Sequence, residues 1–254
     1  MISIAIPTGV LLEGSLDLLR RAGAADLDRE EIGRKLMVER GGVRVVLVKP
    51  ADVPAYVDHG SADLGIAGKD QLWESAGSHY ELVDLGFGGC RLVVAVPEAS
   101  ALDGPRTWPP VIRVGTKYAA ATAAYMAGLG QGVEIVRLHG SVELAPLVGL
   151  ADAIVDLTQT GRTLRENRLR IVADVGCSTA RLIANQASLK TRTDALQALI
   201  ARIRAALPSP LEGEGKGGGD AGGRGAAAGQ IGGARTAPPP QPSPVEGGGS
   251  QPCP

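Results

Sequence analysis

Aromatic side chains are scarce in this chain: one phenylalanine, two tryptophans and four tyrosines among 254 residues. A surface that stacks unpaired bases needs several such rings, which argues against single-stranded nucleic acid as a partner. Neither sign of charge is in excess, with 26 basic against 27 acidic residues and a net charge of −1. That argues against a duplex-binding surface and leaves room for a local phosphate site. The three cysteines, Cys90, Cys177 and Cys253, are odd in number and lack metal-ligand spacing. With no signal peptide ahead of them they read as reduced thiols in the cytoplasm, Cys90 and Cys177 as buried ones. No apolar run reaches the length of a membrane span, and Met1-Ile-Ser-Ile-Ala-Ile-Pro leads directly into a strand pattern. His59, His79 and His139 read as satisfied or exposed residues without a catalytic role.

Residues 208–254 have almost no large apolar side chains and hold 14 of the 36 glycines and 9 of the 17 prolines. Such a segment cannot bury enough apolar surface to offset its ordering entropy, so it reads as a disordered tail. Within it PSPLEGEG, from Pro208, recurs as PSPVEGGG, from Pro242, with nothing periodic between the two copies. This is low complexity and no solenoid. The folded part is then the first 207 residues or so.

In that part short β-branched runs alternate with helical patterns. The runs are residues 2–6, 43–48, 64–67, 92–96, 111–114, 133–138, 151–157 and 182–184, and helical patterns cover 11–22 and 118–129. This alternation predicts an α/β protein with largely parallel sheets. Eight strands are many for one sheet, and the Pro- and Gly-rich segment 95–110 suggests two lobes with a cleft between them. Most strands end in small or polar turns, among them Pro7-Thr-Gly, Lys49-Pro-Ala-Asp, Gly68-Lys-Asp, Gly115-Thr-Lys and Thr160-Gly-Arg-Thr. Ligands of open α/β sheets collect at the carboxyl ends of strands, where these turns lie. Asp52, Asp70 and Ser141 also suit helix N-caps.

The stretch GLADAIVDLTQTGRTL, from Gly149, carries the chemistry. Its apolar run predicts a buried strand with Asp152 at its entrance and Asp156 at its exit, roughly 13 Å apart on an extended chain and too far to share a proton. At the entrance Asp152 has a structural reading. Asp156 is followed by Thr158-Gln-Thr-Gly-Arg-Thr163, where Gly161 permits positive φ, the threonine hydroxyls donate, and the next helix begins. Those are the parts of a phosphate cradle. A carboxylate directly before it can accept hydrogen bonds from the 2- and 3-hydroxyls of a ribose whose 5-phosphate fills the loop.

Glu143, Gly149, Ala151, Ile154, Asp156, Leu157, Thr160, Gly161, Thr163 and Leu164 together resemble the signature of the ATP phosphoribosyltransferase family. Further blocks follow in family order: Gly33-Arg-Lys-Leu36, Asp52-Val-Pro-Ala-Tyr-Val57, HGSADLGIAGKD from His59, LVDLGFGGCRLVVAVPE from Leu82, Gly115-Thr-Lys-Tyr118, GSVELAPLVGLADAIVD from Gly140, and Arg181-Leu-Ile-Ala-Asn185. The resemblance implies two lobes similar to type II periplasmic binding proteins: residues 1–90 plus 175–207 as the first, 91–174 as the second. It implies a reaction in which N1 of ATP displaces pyrophosphate from C1 of phosphoribosyl pyrophosphate, with Mg²⁺ carried on the pyrophosphate and no protein metal site. On this reading Asp152, Asp156, Thr158, Thr160, Gly161, Arg162 and Thr163 bind phosphoribosyl pyrophosphate. Arg34 and Lys49 neutralise the leaving group as the catalytic cations, and Gly9, Lys69, Asp70 and Glu143 lie near ATP and pyrophosphate.

One departure stands out. Family members begin with a PKGR-like turn, whereas this chain reads Pro7-Thr-Gly-Val10, so two positive charges near the phosphates are absent. The length resembles the short form of the family, which implies a homodimer as minimal unit and a hetero-oligomer with a regulatory subunit related to histidyl-tRNA synthetase. The alternative is a cytoplasmic two-lobed small-molecule binding protein without turnover.

Overall fold

A computed structural model describes residues 1–208. The chain runs through β1 (Ile2–Pro7), α1 (Leu12–Arg21), α2 (Arg29–Ile32), β2 (Met37–Arg40), β3 (Val43–Val48), α3 (Val53–Asp58), β4 (Leu64–Gly68), α4 (Lys69–Glu74) and β5 (Tyr80–Asp84). It continues through β6 (Cys90–Pro97), β7 (Val111–Thr116), α5 (Ala119–Gly128), β8 (Gly132–Arg137), α6 (Leu144–Leu147), β9 (Ala153–Thr158), α7 (Arg162–Glu166) and β10 (Leu169–Ser178). Then come β11 (Ala180–Ala184), α8 (Gln186–Thr191) and α9 (Thr193–Ala205). The tail expected over 208–254 lies, but for Pro208, outside the described residues.

Two sheets result, ordered β2-β3-β1-β4-β11-β5 and β10-β6-β9-β7-β8. All eight expected strands are present, and β2, β5 and β10 join them. Each of the three additions is an edge strand. An edge is half exposed and tolerates polar residues and bulges, so MVER, YELVD and the twice-bulged LRIVADVGCS lack the apolar runs that mark the inner strands. The same strands correct the expectation of largely parallel sheets. β1–β3, β1–β4, β7–β8 and β7–β9 are parallel, but β2–β3, β4–β11, β5–β11, β6–β9 and β6–β10 are antiparallel.

Alternation explains why successive residues at the centre of the inner strands are apolar. Ile4 and Ile6 face α1 and α9 while Ala5 faces α3; Val94 and Val96 face α5 while Val93 and Ala95 face α6 and α7. Both faces of each sheet are covered, so the central positions are apolar and polar residues such as Ser3, Arg113 and Asp156 stand toward the strand ends.

The chain leaves the first sheet after β5 and returns with β11, and these crossings bond to each other: Leu85 N–H to the Ala180 carbonyl at 2.9 Å, and Ala180 N–H to the Phe87 carbonyl at 2.9 Å. Both lie at the carboxyl end of β4, since Gly68 pairs with Ala180, and at the carboxyl end of β9, since Thr158 pairs with Arg91. The parallel strands of each sheet therefore point toward one hinge.

Of the expected caps, Asp52 precedes α3 without a capping bond, Asp70 lies inside α4, and Ser141 adopts φ 49°. Asp28 and Asn185 cap instead, at 2.7 and 2.8 Å. Cys177, expected as a buried reduced thiol, is exposed on β10 and disulfide-bonded; Cys90 is half-buried.

At the amino end of the first sheet, buried Asp63 accepts hydrogen bonds from Ser3 N–H (2.8 Å), Ser3 Oγ (3.0 Å), Ser188 Oγ (2.7 Å) and Arg192 (3.0 Å), tying β1 to α8. Burial opposes its charge, but these donors outweigh burial and hold the carboxyl below its usual range. Asp63→Ala is expected to cost roughly 2–4 kcal/mol in urea unfolding at neutral pH, because buried donors lose their acceptor. A depressed pKa stabilises above the unfolded value, so the contribution is complete above pH 3.8 and fades as pH falls through the lower folded value. An Asp63→Asn variant should therefore approach the wild type in strong acid.

Candidate functional site

β9 is the middle strand of the second sheet, and Ala153, Ile154 and Val155 are fully buried. Asp156 follows at the exit, where burial is incomplete. Its Oδ1 accepts the Leu157 N–H at 2.8 Å and lies 3.7 Å from Lys117 Nζ. Burial, with the Glu143 carboxylate adding to it, raises the Asp156 pKa against the pull of Lys117 and the Leu157 N–H. The site thus holds a carboxylate that gains from any further donor.

The turn after it is built as its sequence suggests. Thr158 Oγ1 accepts the Gly161 N–H at 2.8 Å, and Thr160 Oγ1 lies 3.4 Å from the Arg162 N–H. Gly161 adopts φ 70°, the left-handed region, and a Cβ there would meet Arg165 at 3.0 Å. Arg165 also donates to the Thr160 carbonyl at 3.0 Å, closing the loop from behind. Thr163 is exposed at the start of α7. The Arg162 side chain does not turn into the loop: it pairs with Glu166 at 2.7 Å, one turn along α7.

Asp152 does not join this group. At the opposite end of β9 it binds Arg113, accepting the backbone N–H at 2.9 Å and the guanidinium at 2.8 Å, and that hydrogen bonding lowers its pKa. The geometry carries out the structural reading of the strand entrance.

Lys117 stands beside Asp156, a placement that its block Gly115-Thr-Lys-Tyr118 does not single out in the sequence. The available signal was its turn, at the carboxyl end of a strand that proves parallel to β9. Thr116 braces that turn, its buried hydroxyl donating to the Val155 carbonyl at 2.6 Å and accepting the Tyr118 N–H at 2.8 Å. The Lys117 ammonium lies 4.9 Å from the Tyr118 ring centroid, and the phenol of buried Tyr118 is pushed well above its usual range by burial and the Asp70 and Asp156 carboxylates.

Across the hinge, Gly9, Lys49 and Lys69 follow the parallel strands β1, β3 and β4. Gly9 adopts φ 89°, and the Thr8 N–H beside it donates to the Val48 carbonyl at 2.8 Å. Arg34 precedes Leu36, whose carbonyl takes the Leu47 N–H at 2.8 Å, so it stands by the same end of β3 as Lys49. Both cations are exposed and make no ion pair among the described residues. Lys69 differs: its buried ammonium lies 2.5 Å from Glu81. Asp70 is also buried, and its Oδ1 accepts from Ser178 Oγ at 2.8 Å. Val10, one of the positions that lacks a basic residue, is 80% exposed. Among the described residues no cluster of three His, Cys, Asp or Glu could hold a metal ion, and no helix is long and apolar enough to cross a membrane.

The family model for ATP phosphoribosyltransferase matches residues 49–205. The ATP phosphoribosyltransferase of Caldanaerobacter subterraneus is 45% identical over 206 residues, which is 80% of this chain and 96% of that one. Among solved structures, the ATP phosphoribosyl transferase (HisG:HisZ) complex from Thermotoga maritima aligns at a TM-score of 0.69 with 31% identity, covering 81% of this chain and 98% of that one. The alkanesulfonate-binding protein SsuA from Xanthomonas axonopodis pv. citri aligns at 0.52 with 15% identity, covering 81% and 72%, a likeness of fold alone. A two-lobed α/β frame of the periplasmic-binding-protein type is thus combined here with a threonine–glycine loop behind a half-buried aspartate, and the chain belongs to the ATP phosphoribosyltransferase family, the pentosyltransferases that open histidine biosynthesis.

Proposed function

We propose that phosphoribosyl pyrophosphate binds at the exit of β9, its 5-phosphate in the loop Thr158–Thr163 and its ribose hydroxyls on Asp156, with ATP presented from the first sheet's strand ends. The observation that carries this reading is the half-buried Asp156 standing directly before the left-handed Gly161 turn. A carboxylate held at the expense of burial, with Lys117 on one side, is suited to accept two hydroxyl donors.

Transfer from ATP N1 to C1 of the ribose passes through an oxocarbenium-like transition state, and the adenine nitrogen already carries its lone pair. No strong base is required, so the protein's contribution is orientation and neutralisation of the departing pyrophosphate. Mg²⁺ enters with that pyrophosphate as part of the substrate. Arg34 and Lys49, exposed and without ion pairs among the described residues, supply the protein's share of positive charge. They also offset the absence of basic residues at Thr8 and Val10. Lys69, held by Glu81, contributes to the frame of the site and less to its field. The relative from Thermotoga maritima is a HisG:HisZ complex. It supports a HisZ-like partner for this chain. The proposed assembly is a hetero-oligomer in the cytoplasm, built on a catalytic homodimer with a regulatory subunit related to histidyl-tRNA synthetase. The alternative of a binding protein without turnover is not favoured, because the relatives at about 45% identity bear the enzyme's name.

Purified chain is expected to release pyrophosphate with ATP, phosphoribosyl pyrophosphate and Mg²⁺, and to release none when ATP is replaced by another base. Binding of phosphoribosyl pyrophosphate without turnover, with and without the regulatory subunit, would point to the binding-protein alternative.

Asp156→Asn should weaken phosphoribosyl pyrophosphate at least ~10-fold, the scale of hydrogen bonds to a charged group, and leave ATP within about twofold. Equal losses for both would sink the ribose assignment. The pH dependence follows from the raised pKa: acidification neutralises Asp156 earlier than an ordinary aspartate, so sugar-phosphate affinity falls with pH beginning above 3.8. The asparagine variant should lack that titration, and its melting temperature at neutral pH should equal or exceed the wild type's, since the charge is disfavoured by burial.

A further inference from the structure

α4 follows β4 of the first sheet, yet one of its faces serves the second. Asp70, Trp73 and Glu74 stand at i, i+3 and i+4 and so share that face. The Trp73 side chain is buried in the core cluster of the second sheet, with Tyr125 and Met126 of α5. The Glu74 carboxylate accepts the backbone N–H of Ala120 at 3.1 Å and of Ala121 at 2.8 Å, one on each oxygen. Asp70 closes the group: its N–H donates to Ser178 Oγ at 3.0 Å, on the last residue of β10 before the chain crosses back.

α5 needs this partner. Tyr118 occupies its N-cap position and offers no capping bond, and Thr116 satisfies only the Tyr118 N–H. The next donors of the helix would lack acceptors without Glu74, and an anion there also suits the positive end of the helix. The residues immediately ahead of α5 are Lys117 and Tyr118, and Lys117 faces Asp156.

We propose that Glu74 is a positioning residue for phosphoribosyl transfer. By capping α5 from the other lobe it holds the Thr116–Tyr118 turn, and with it Lys117 against Asp156, so the sugar-phosphate site is complete only when α4 is seated. The inference rests on the assignment of Asp156 to phosphoribosyl pyrophosphate. It makes α4, which starts at the lobe I strand ends, the link between the two substrate sides of the cleft.

The test uses the full chain with Glu74→Ala and Glu74→Gln, the second isosteric and retaining one acceptor oxygen. Phosphoribosyl pyrophosphate affinity is read by calorimetry, KM for each substrate by pyrophosphate release, and amide exchange over residues 119–126 by mass spectrometry. Glu74→Ala should weaken phosphoribosyl pyrophosphate about tenfold, the scale of a lost charged cap, with the KM for ATP within about twofold and faster exchange at 120 and 121. Glu74→Gln should fall between Ala and wild type, and it alone decides the matter if the alanine variant does not fold. Faster exchange with unchanged phosphoribosyl pyrophosphate affinity would make Glu74 purely structural and overturn the proposal, as would equal losses for both substrates. A wild-type chain that binds phosphoribosyl pyrophosphate without turnover would count against the enzymatic reading while binding and exchange still judge Glu74. Failure of the wild type to bind it would overturn both.

Discussion

The site depends on the pairing of β9 between β6 and β7. Because the middle strand is dry on both faces, its apolar run can end only where the sheet ends, and the first polar side chain after it stands at the cleft. That residue is Asp156. Parallel pairing with β7 brings the 116–118 turn to the same end, and antiparallel pairing with β6 brings the hinge there too. Three loops meet because of one strand's register.

Charge is distributed by the same geometry. Close to the hinge, the Lys69–Glu81 ion pair is withdrawn from solvent and ties α4 to β5. Arg34 and Lys49 lie farther out on the loops, exposed and with no ion pair among the described residues, and a phosphate-rich substrate would complete them. Asp156 lies between these extremes, half-buried with one cation at a distance of 3.7 Å. A fully paired carboxylate, such as Asp152 on Arg113, has little left to offer a ligand.

The lobes are not independent bodies joined only by two strands. Trp73 buries its ring in the core of the lobe to which its chain segment does not belong, and Glu74 beside it caps a helix there. In a two-lobed fold such a contact limits the orientations available, since opening the cleft at this point would expose a tryptophan and uncap α5.

Sequence alone determined the inner strands, because double-sided burial writes itself as short, largely apolar runs, and it marked the Thr158–Thr163 loop, because a left-handed turn favours Gly161. The family could be read as well, since its blocks are local words in a fixed order. What local pattern cannot encode is partnership across the chain. Edge strands β2, β5 and β10 carry mixed composition and are recognisable only once their neighbours exist. Lys117 and Lys69 look alike as residues in strand-end turns, and only the tertiary structure set one beside Asp156 and the other on Glu81. Asp152 and Asp156 are told apart along the strand by the sequence, and the tertiary structure added the Arg113 partner that occupies Asp152. Those outcomes are fixed by sheet order, which long-range pairing decides.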